Sequence, residues 1–200
     1  MSSSVPFSDE LERWLESDGP KTLGALNDVF AERAFAVGIL LLMLVPALPL
    51  PTGGVSHVLE VIAVILGAQM VLGRRVVWVP SRWKDSELGA TMTDKTLPFV
   101  MRRIRQVERF SRRRGRRLFD QKWFDRLLGL VLIVFAVAAA LAPPFSGLDT
   151  LPALGAVVVA LSILLEDLLV LAVGLVLGTG GIVLILTVGA ALFRLVTSLF

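Results

Sequence analysis

His57 and Glu60 stand three residues apart in an apolar run, a spacing that puts both on one face of a helix. An imidazole beside a carboxylate can pass a proton, and ionisable groups inside a membrane are costly enough to face a cavity or each other. The pair therefore reads as a proton or cation relay if its helix carries it to depth. The alternative is the membrane interface, where water hydrates both groups, and the short offset from the bend at Pro51-Thr52-Gly53-Gly54 favours that alternative. A second constellation comprises Gln69, Arg74, Arg126, Glu166 and Asp167. These could line a polar cleft, with Asp167 expected to pair with Arg74 or Arg126 so that each charge offsets the other's desolvation. Gln69 is more readily a hydrogen-bonding group between helices than a ligand.

Little other chemistry is available. The absence of Cys and the single His exclude a disulfide framework, a Cys/His zinc site, thiol catalysis and haem attachment through C-x-x-C-H. Ser56-His57 with Asp149 supplies the residue types of a triad without a nucleophile elbow, and Gly178-Thr179-Gly180-Gly181 lacks the Gly-Lys-Ser/Thr of a phosphate loop. The expectation is a protein that is not an enzyme and holds no cofactor or metal.

The elements that must position these residues belong in lipid. Of 200 residues 55% are apolar and 18% charged, too little polar surface for a soluble domain of this length. The net charge of +3 hides a segregation, because 16 of the 20 Lys and Arg lie between Arg74 and Arg126. That basic segment is expected to stay cytoplasmic. Residues 1–33 form an acidic N-terminal segment in which Leu11, Trp14 and Leu15 share one helix face. Residues 34–72 are a first membrane hairpin turning at Pro51 and Gly54, residues 73–126 the basic loop, and residues 127–165 a second hairpin turning at Pro144 and Gly147. Residues 166–200 read as a C-terminal helix pair broken at Gly178–Gly181. The architecture expected is thus an all-α integral membrane protein of six short legs, both chain ends cytoplasmic. A leg of 16 residues rises about 24 Å against a hydrocarbon core of about 30 Å, so each hairpin either barely spans or is re-entrant.

An ungapped shift of 93 residues lays Arg33 on Arg126, Pro51 on Pro144, Gly54 on Gly147 and Leu72 on Leu165, which points to an internal repeat. Duplicated helical units around a midplane site are a transporter habit, and also a cheap way to build a bundle. Within the basic loop, Leu97, Val100, Met101, Ile104 and Val107 recur at helical spacing opposite Arg102, Arg103, Arg105, Arg109 and Arg112. This is an amphipathic helix suited to an interface. With Arg113, Arg114, Arg116 and Arg117 it either attracts anionic lipid, at about 1 kcal/mol per base, or serves only to set topology. Nucleic acid is not an expected partner of a segment tethered to a bilayer on both sides. Short legs and abundant Gly favour a homodimer that covers broken backbone.

Several strings together resemble the ExoD family of bacterial membrane proteins. They are Thr22-Leu23-Gly24-Ala25-Leu26, Glu32-Arg33-Ala34-Phe35, Pro49-Leu50-Pro51-Thr52-Gly53-Gly54-Val55-Ser56, Gln69-Met70-Val71-Leu72-Gly73-Arg74 and Trp78-Val79-Pro80. The resemblance runs from about Thr22 to the C-terminus. It implies an inner-membrane protein associated with exopolysaccharide production and alkaline tolerance, and a link to the envelope-polysaccharide machinery, with no established reaction to carry over. The family's motif positions fall here on Pro51, Gly54, Gln69, Gly73, Arg74, Trp78 and Asp167. This chain departs from the pattern at His57, Glu60 and Ile62, where the family tends to place small residues or Pro, and at Leu168, where it has Gly. The function expected is a permease-like protein moving a small solute, an ion or a lipid-linked precursor; the alternative is a non-transporting scaffold that binds anionic lipid.

Overall fold

The computed structural model describes residues 7–20, 22, 33–48, 55–74, 77–78, 102, 105–106, 114–143 and 146–199. Among them the regular elements are helices: α1 (Phe7–Glu16), α2 (Ala34–Leu44), α3 (Val55–Val71), α4 (Arg116–Phe119), α5 (Lys122–Ala140), α6 (Thr150–Leu165) and α7 (Leu168–Leu199). Helix α2 stops where Pro46 has no N–H to extend the ladder, and the Ala47 N–H closes the turn on the Met43 carbonyl at 3.0 Å. Helix α6 tolerates Pro152 because it lies in the first turn, where N–H groups lack intrahelical acceptors. The α5–α6 turn uses Gly147 at φ 69°, a left-handed conformation that glycine adopts freely. Of the other turn residues expected, Pro51, Gly54 and Pro144 lie outside the described residues.

Helices α2, α3, α5 and α6 form a ring in which α2 packs on α3, α3 on α5, α5 on α6 and α6 on α2, and α7 lies along α6. Close approach depends on small residues. At the α3–α5 crossing a Cβ on Gly67 would lie 3.2 Å from the Gly129 carbonyl, and one on Gly129 would lie 3.0 Å from the Gly67 carbonyl. Along α6 and α7, Gly155 and Gly178 touch backbone to backbone, and the Phe135 ring presses on Gly178.

These α7 contacts correct one expectation. Gly178–Gly181 is not a turn, and residues 166–200 do not form a helix pair, because one helix runs unbroken from Leu168 to Leu199. A glycine inside a helix costs about 1 kcal/mol relative to alanine. Here Gly178 and Gly181 are the positions where α5 and the first turn of α6 come too close for any side chain, and the packing gained offsets that cost. Thr179 turns its hydroxyl back to the Leu175 carbonyl at 2.6 Å, so its polar group is satisfied within the helix.

The two hairpins end alike. After α3, the Arg74 N–H bonds the Gln69 carbonyl at 3.1 Å across Gly73, which sits at φ 74°. After α6, the Asp167 N–H bonds the Ser162 carbonyl at 3.2 Å across Glu166, which sits at φ 53°. Both share the outer bond of a Schellman motif, from the N–H after the left-handed residue to a carbonyl five residues back, at positions 93 apart; the inner bonds differ, since the Gly73 N–H turns to the Met70 carbonyl and the Glu166 N–H stays on Ser162.

The outside of the bundle is apolar. Trp123, Leu127, Leu130, Val134, Val137 and Leu141 form an exposed stripe along α5, and Val58, Val61, Ile65 and Leu72 form another along α3. Lys122–Ala140 and Leu168–Ala191 are long and apolar enough to cross a membrane, whereas Ala34–Leu44, Ser56–Val71 and Thr150–Leu165 are shorter. Stripes of this kind are rare on soluble monomers. Helix α1 docks through Trp14 and Leu15, two of the residues expected on its apolar face.

Candidate functional site

Helix α3 turns Ser56, Glu60, Ala63, Gly67 and Met70 inward, an i, i+4, i+7 pattern that aims one face into the ring. Glu60 is therefore fully enclosed by protein, with 0% exposure, although it lies barely more than a turn from the helix start. The face it occupies, more than its distance from the bend, thus shields its carboxylate from solvent. Its Oε2 lies 2.9 Å from Nδ1 of His57, and its Oε1 is buried without a hydrogen-bond partner. His57 keeps 40% of its side chain exposed, so the pair joins the accessible surface to the interior. Asp149, at the start of α6, is near enough for its charge to act on Glu60. Among the described residues no group of three or more His, Cys, Asp or Glu is placed to hold a metal ion.

The second constellation gathers at the opposite end of the ring, and its members are engaged in closing helices. Gln69 is buried and its Oε1 accepts the Trp78 N–H at 2.7 Å, which pins the chain as it leaves α3. Asp167 is 1% exposed and its Oδ1 accepts the Leu169 N–H at 2.9 Å, so it caps α7. The Arg126 guanidinium lies over Gly73, with Nη2 3.2 Å from where a Cβ would be. Among the described residues the ion pair at this end joins Arg33 to Glu166 at 3.5 Å, rather than Arg74 or Arg126 to Asp167. The geometry explains the change: Asp167 follows the left-handed residue and points its carboxylate along α7, while Glu166 is presented to the start of α2. Arg74 is exposed. Of the residues expected to line one cleft, Asp167 caps α7, Gln69 holds the chain after α3 and Glu166 takes Arg33.

Of the basic residues, Arg102, Arg114, Arg116 and Arg117 are exposed, whereas Arg105 reaches α1, with Nη2 2.6 Å from Glu12 and 3.8 Å from Asp9. Arg109, Arg112 and Arg113 lie outside the described residues, as does most of the expected amphipathic helix. Sequence reasoning missed Arg33, Asp149 as a neighbour of Glu60, and the acidic partner of Arg105. The 93-residue register held a signal for two of them, since it equates Arg33 with Arg126 and Glu12 with Arg105.

The family model described as "Exopolysaccharide synthesis, ExoD" matches residues 7–187, nearly the whole chain. The chain belongs to the ExoD family. An uncharacterized protein of Synechocystis sp. is 23% identical over 173 residues, covering 85% of this chain and 81% of the relative. No solved structure matches. ExoD membership links the chain to exopolysaccharide synthesis, and with the two long apolar helices it supports association with a membrane. The matched region contains both hairpins, both closures and the His57–Glu60 pair.

Proposed function

We propose that this ExoD protein is a permease-like component of the bacterial inner membrane that serves exopolysaccharide production by moving a small solute, an ion or a lipid-linked precursor between two related hairpins. One observation carries the reading: α2–α3 and α5–α6 each close with an N–H bonded to a carbonyl five residues back, at positions 93 apart, and each closure meets an arginine from the start of the other hairpin, Arg126 on Gly73 and Arg33 on Glu166. Two alike units facing each other around a ring are the frame on which secondary transporters rock. The exposed Trp78 and Trp123 and the basic segment at one end support an interface there on the cytoplasmic side. With α7 continuous, five apolar helices follow α1, so full crossings by all of them would place the two chain ends on opposite sides. On the cysteine-free background, Ser146→Cys should then label from outside the cell.

The test is flux. Purified protein in liposomes should move at least one of protons, alkali cations or polyprenyl-linked sugars faster than protein-free vesicles, and failure with all three overturns the permease. The exposed Arg102, Arg114, Arg116 and Arg117 favour the second reading, a scaffold held to anionic lipid, with or without a second copy or the envelope-polysaccharide machinery. Replacing Arg112, Arg113, Arg114, Arg116 and Arg117 with Gln separates the two. A scaffold loses exopolysaccharide support, whereas a permease keeps its flux.

A further inference from the structure

We infer that His57 and Glu60 form a proton-exchange site at the turn end of the ring, with His57 as the port to water and Glu60 as the interior carrier. This deepens the permease reading, on which it rests, by naming the coupling ion. Three observations carry it. Glu60 is wholly buried in a helix, at a position that a membrane bundle does not need for folding and that leucine would fill, and among the described residues its ion-pair partner is His57. One carboxylate oxygen meets an imidazole nitrogen at 2.9 Å while the other, Oε1, has no hydrogen-bond partner, an acceptor facing inward and unused. The imidazole is itself 40% exposed, so a proton can arrive at its far nitrogen without the carboxylate ever meeting bulk water.

The transfer balances without a co-reactant. A hydronium ion outside gives its proton to Nε2 of neutral His57, which already carries a proton on Nδ1. The Nδ1–H bond breaks as an O–H bond forms on Oε2 of Glu60, and the imidazole returns to neutrality as its other tautomer. Only N–H and O–H bonds change, and one positive charge moves inward. Rotation of the carboxyl group presents that proton from the inner side of the ring.

The surroundings select a proton over a metal cation. Calcium favours several carboxylate oxygens at once, and among the described residues no three His, Cys, Asp or Glu stand together. The charged neighbours are few. Helix α2 has none, and those of α5, Lys122, Asp125 and Arg126, sit at its start, at the Gly73 end of α3, some 13 residues or about 20 Å from Glu60. The start of α6 contributes Asp149, whose charge reaches Glu60. Asp149 aligns with Ser56 in the 93-residue register, and it is the next carboxylate that a proton leaving Glu60 would meet.

The test uses the full chain in vesicles of phosphatidylethanolamine and phosphatidylglycerol that enclose a pH-sensitive dye, with a valinomycin-clamped potassium gradient supplying an inside-negative potential. Wild type should acidify the lumen, and Glu60→Gln should lower the rate at least tenfold. His57→Gln, which leaves the carboxylate in place, should lower it by a similar factor and serves as the second arm if the first variant fails to fold. Infrared difference spectra should show a carboxylic-acid band that shifts in deuterium oxide and is lost in Glu60→Gln. Equal proton flux in wild type and both variants overturns the inference, as does flux driven by a sodium gradient with no change of luminal pH. In either of those cases solute movement by wild type would leave the permease standing. Absence of every flux would overturn both.

Discussion

The two hairpins differ at one end and agree at the other. At the closing end, Gly73 and Glu166 hold the same left-handed position and Arg74 and Asp167 make the same bond, so backbone geometry is kept although the side chains change. At the turn end the positions of His57 and Glu60 are taken by Thr150 and Ala153, and Ala153 is as fully buried as Glu60. Among the described residues the left-handed closure occurs twice, whereas a buried carboxylate beside a histidine occurs once. A carboxylate tolerated at position 60 is thus a property of one hairpin's surroundings, the partly exposed His57 above all, and not of the shared architecture.

The sharpest way to break this comparison is to put the carboxylate where its counterpart lies. Ala153→Glu inserts a charge with no imidazole beside it into a site of 0% exposure, and a buried charge left without a partner costs about 3–5 kcal/mol. Unfolding in detergent micelles should show a loss of that size. A change below about 1 kcal/mol, within the range of an ordinary surface substitution, would mean that the second interior is as hospitable as the first. Supplying Thr150→His together with Ala153→Glu should recover part of the loss.

The next effect has the opposite sign. Glu60→Leu removes a buried carboxylate in favour of an apolar side chain of similar size and leaves only the partly exposed His57 without its partner, so burial is relieved without orphaning a buried charge. The variant should unfold later than wild type and yet carry no proton current. A variant that instead unfolded earlier would assign Glu60 to folding, and the difference between the hairpins would no longer concern chemistry.

Much of this arrangement could be read along the chain. The apolar helices and the turn at Gly147 follow from local rules, since hydrophobic runs of this length fold as helices and a left-handed turn position favours Gly. What could not be read depends on neighbours distant in sequence. Gly178 looks like a break until Phe135 and Gly155 are seen against it, because glycine's cost is local while its compensation is tertiary. Glu60 looks hydrated until the inward stripe of α3 is seen to face the other helices of the ring. The polar residues at the closing end were found by type, but charge alone could not tell a cap from a cleft. Asp167 accepts a backbone N–H there, and Glu166, one residue earlier, takes the arginine.

The closures themselves offer a smaller test. Gly73→Ala forces a side chain into the left-handed region and toward the Arg126 guanidinium 3.2 Å away, and should cost about 1–2 kcal/mol. Glu166→Gly relieves the same backbone strain of about 1–2 kcal/mol and loses a partly exposed ion pair worth about 0–1 kcal/mol, so the variant should be more stable by about 1 kcal/mol. Equal losses at both positions would show that the left-handed geometry is not what they share.

The smallest effect separates backbone likeness from electrostatic likeness. Arg33 meets a carboxylate at 3.5 Å, with side-chain exposures of 30% and 16%, so Arg33→Gln should lose only about 0–1 kcal/mol after solvent screening. Arg126 reaches the equivalent place and finds Gly73, which offers no charge. Gly73→Glu would complete the likeness, at a backbone cost of about 1 kcal/mol that a double-mutant cycle with Arg126→Gln removes from the comparison. A coupling of about 0.2–1 kcal/mol between Glu at position 73 and Arg126 would mean that both closures present an arginine to the same point. A coupling of zero would confine their likeness to the main chain, and the facing of one hairpin by the other would then owe nothing to these two arginines.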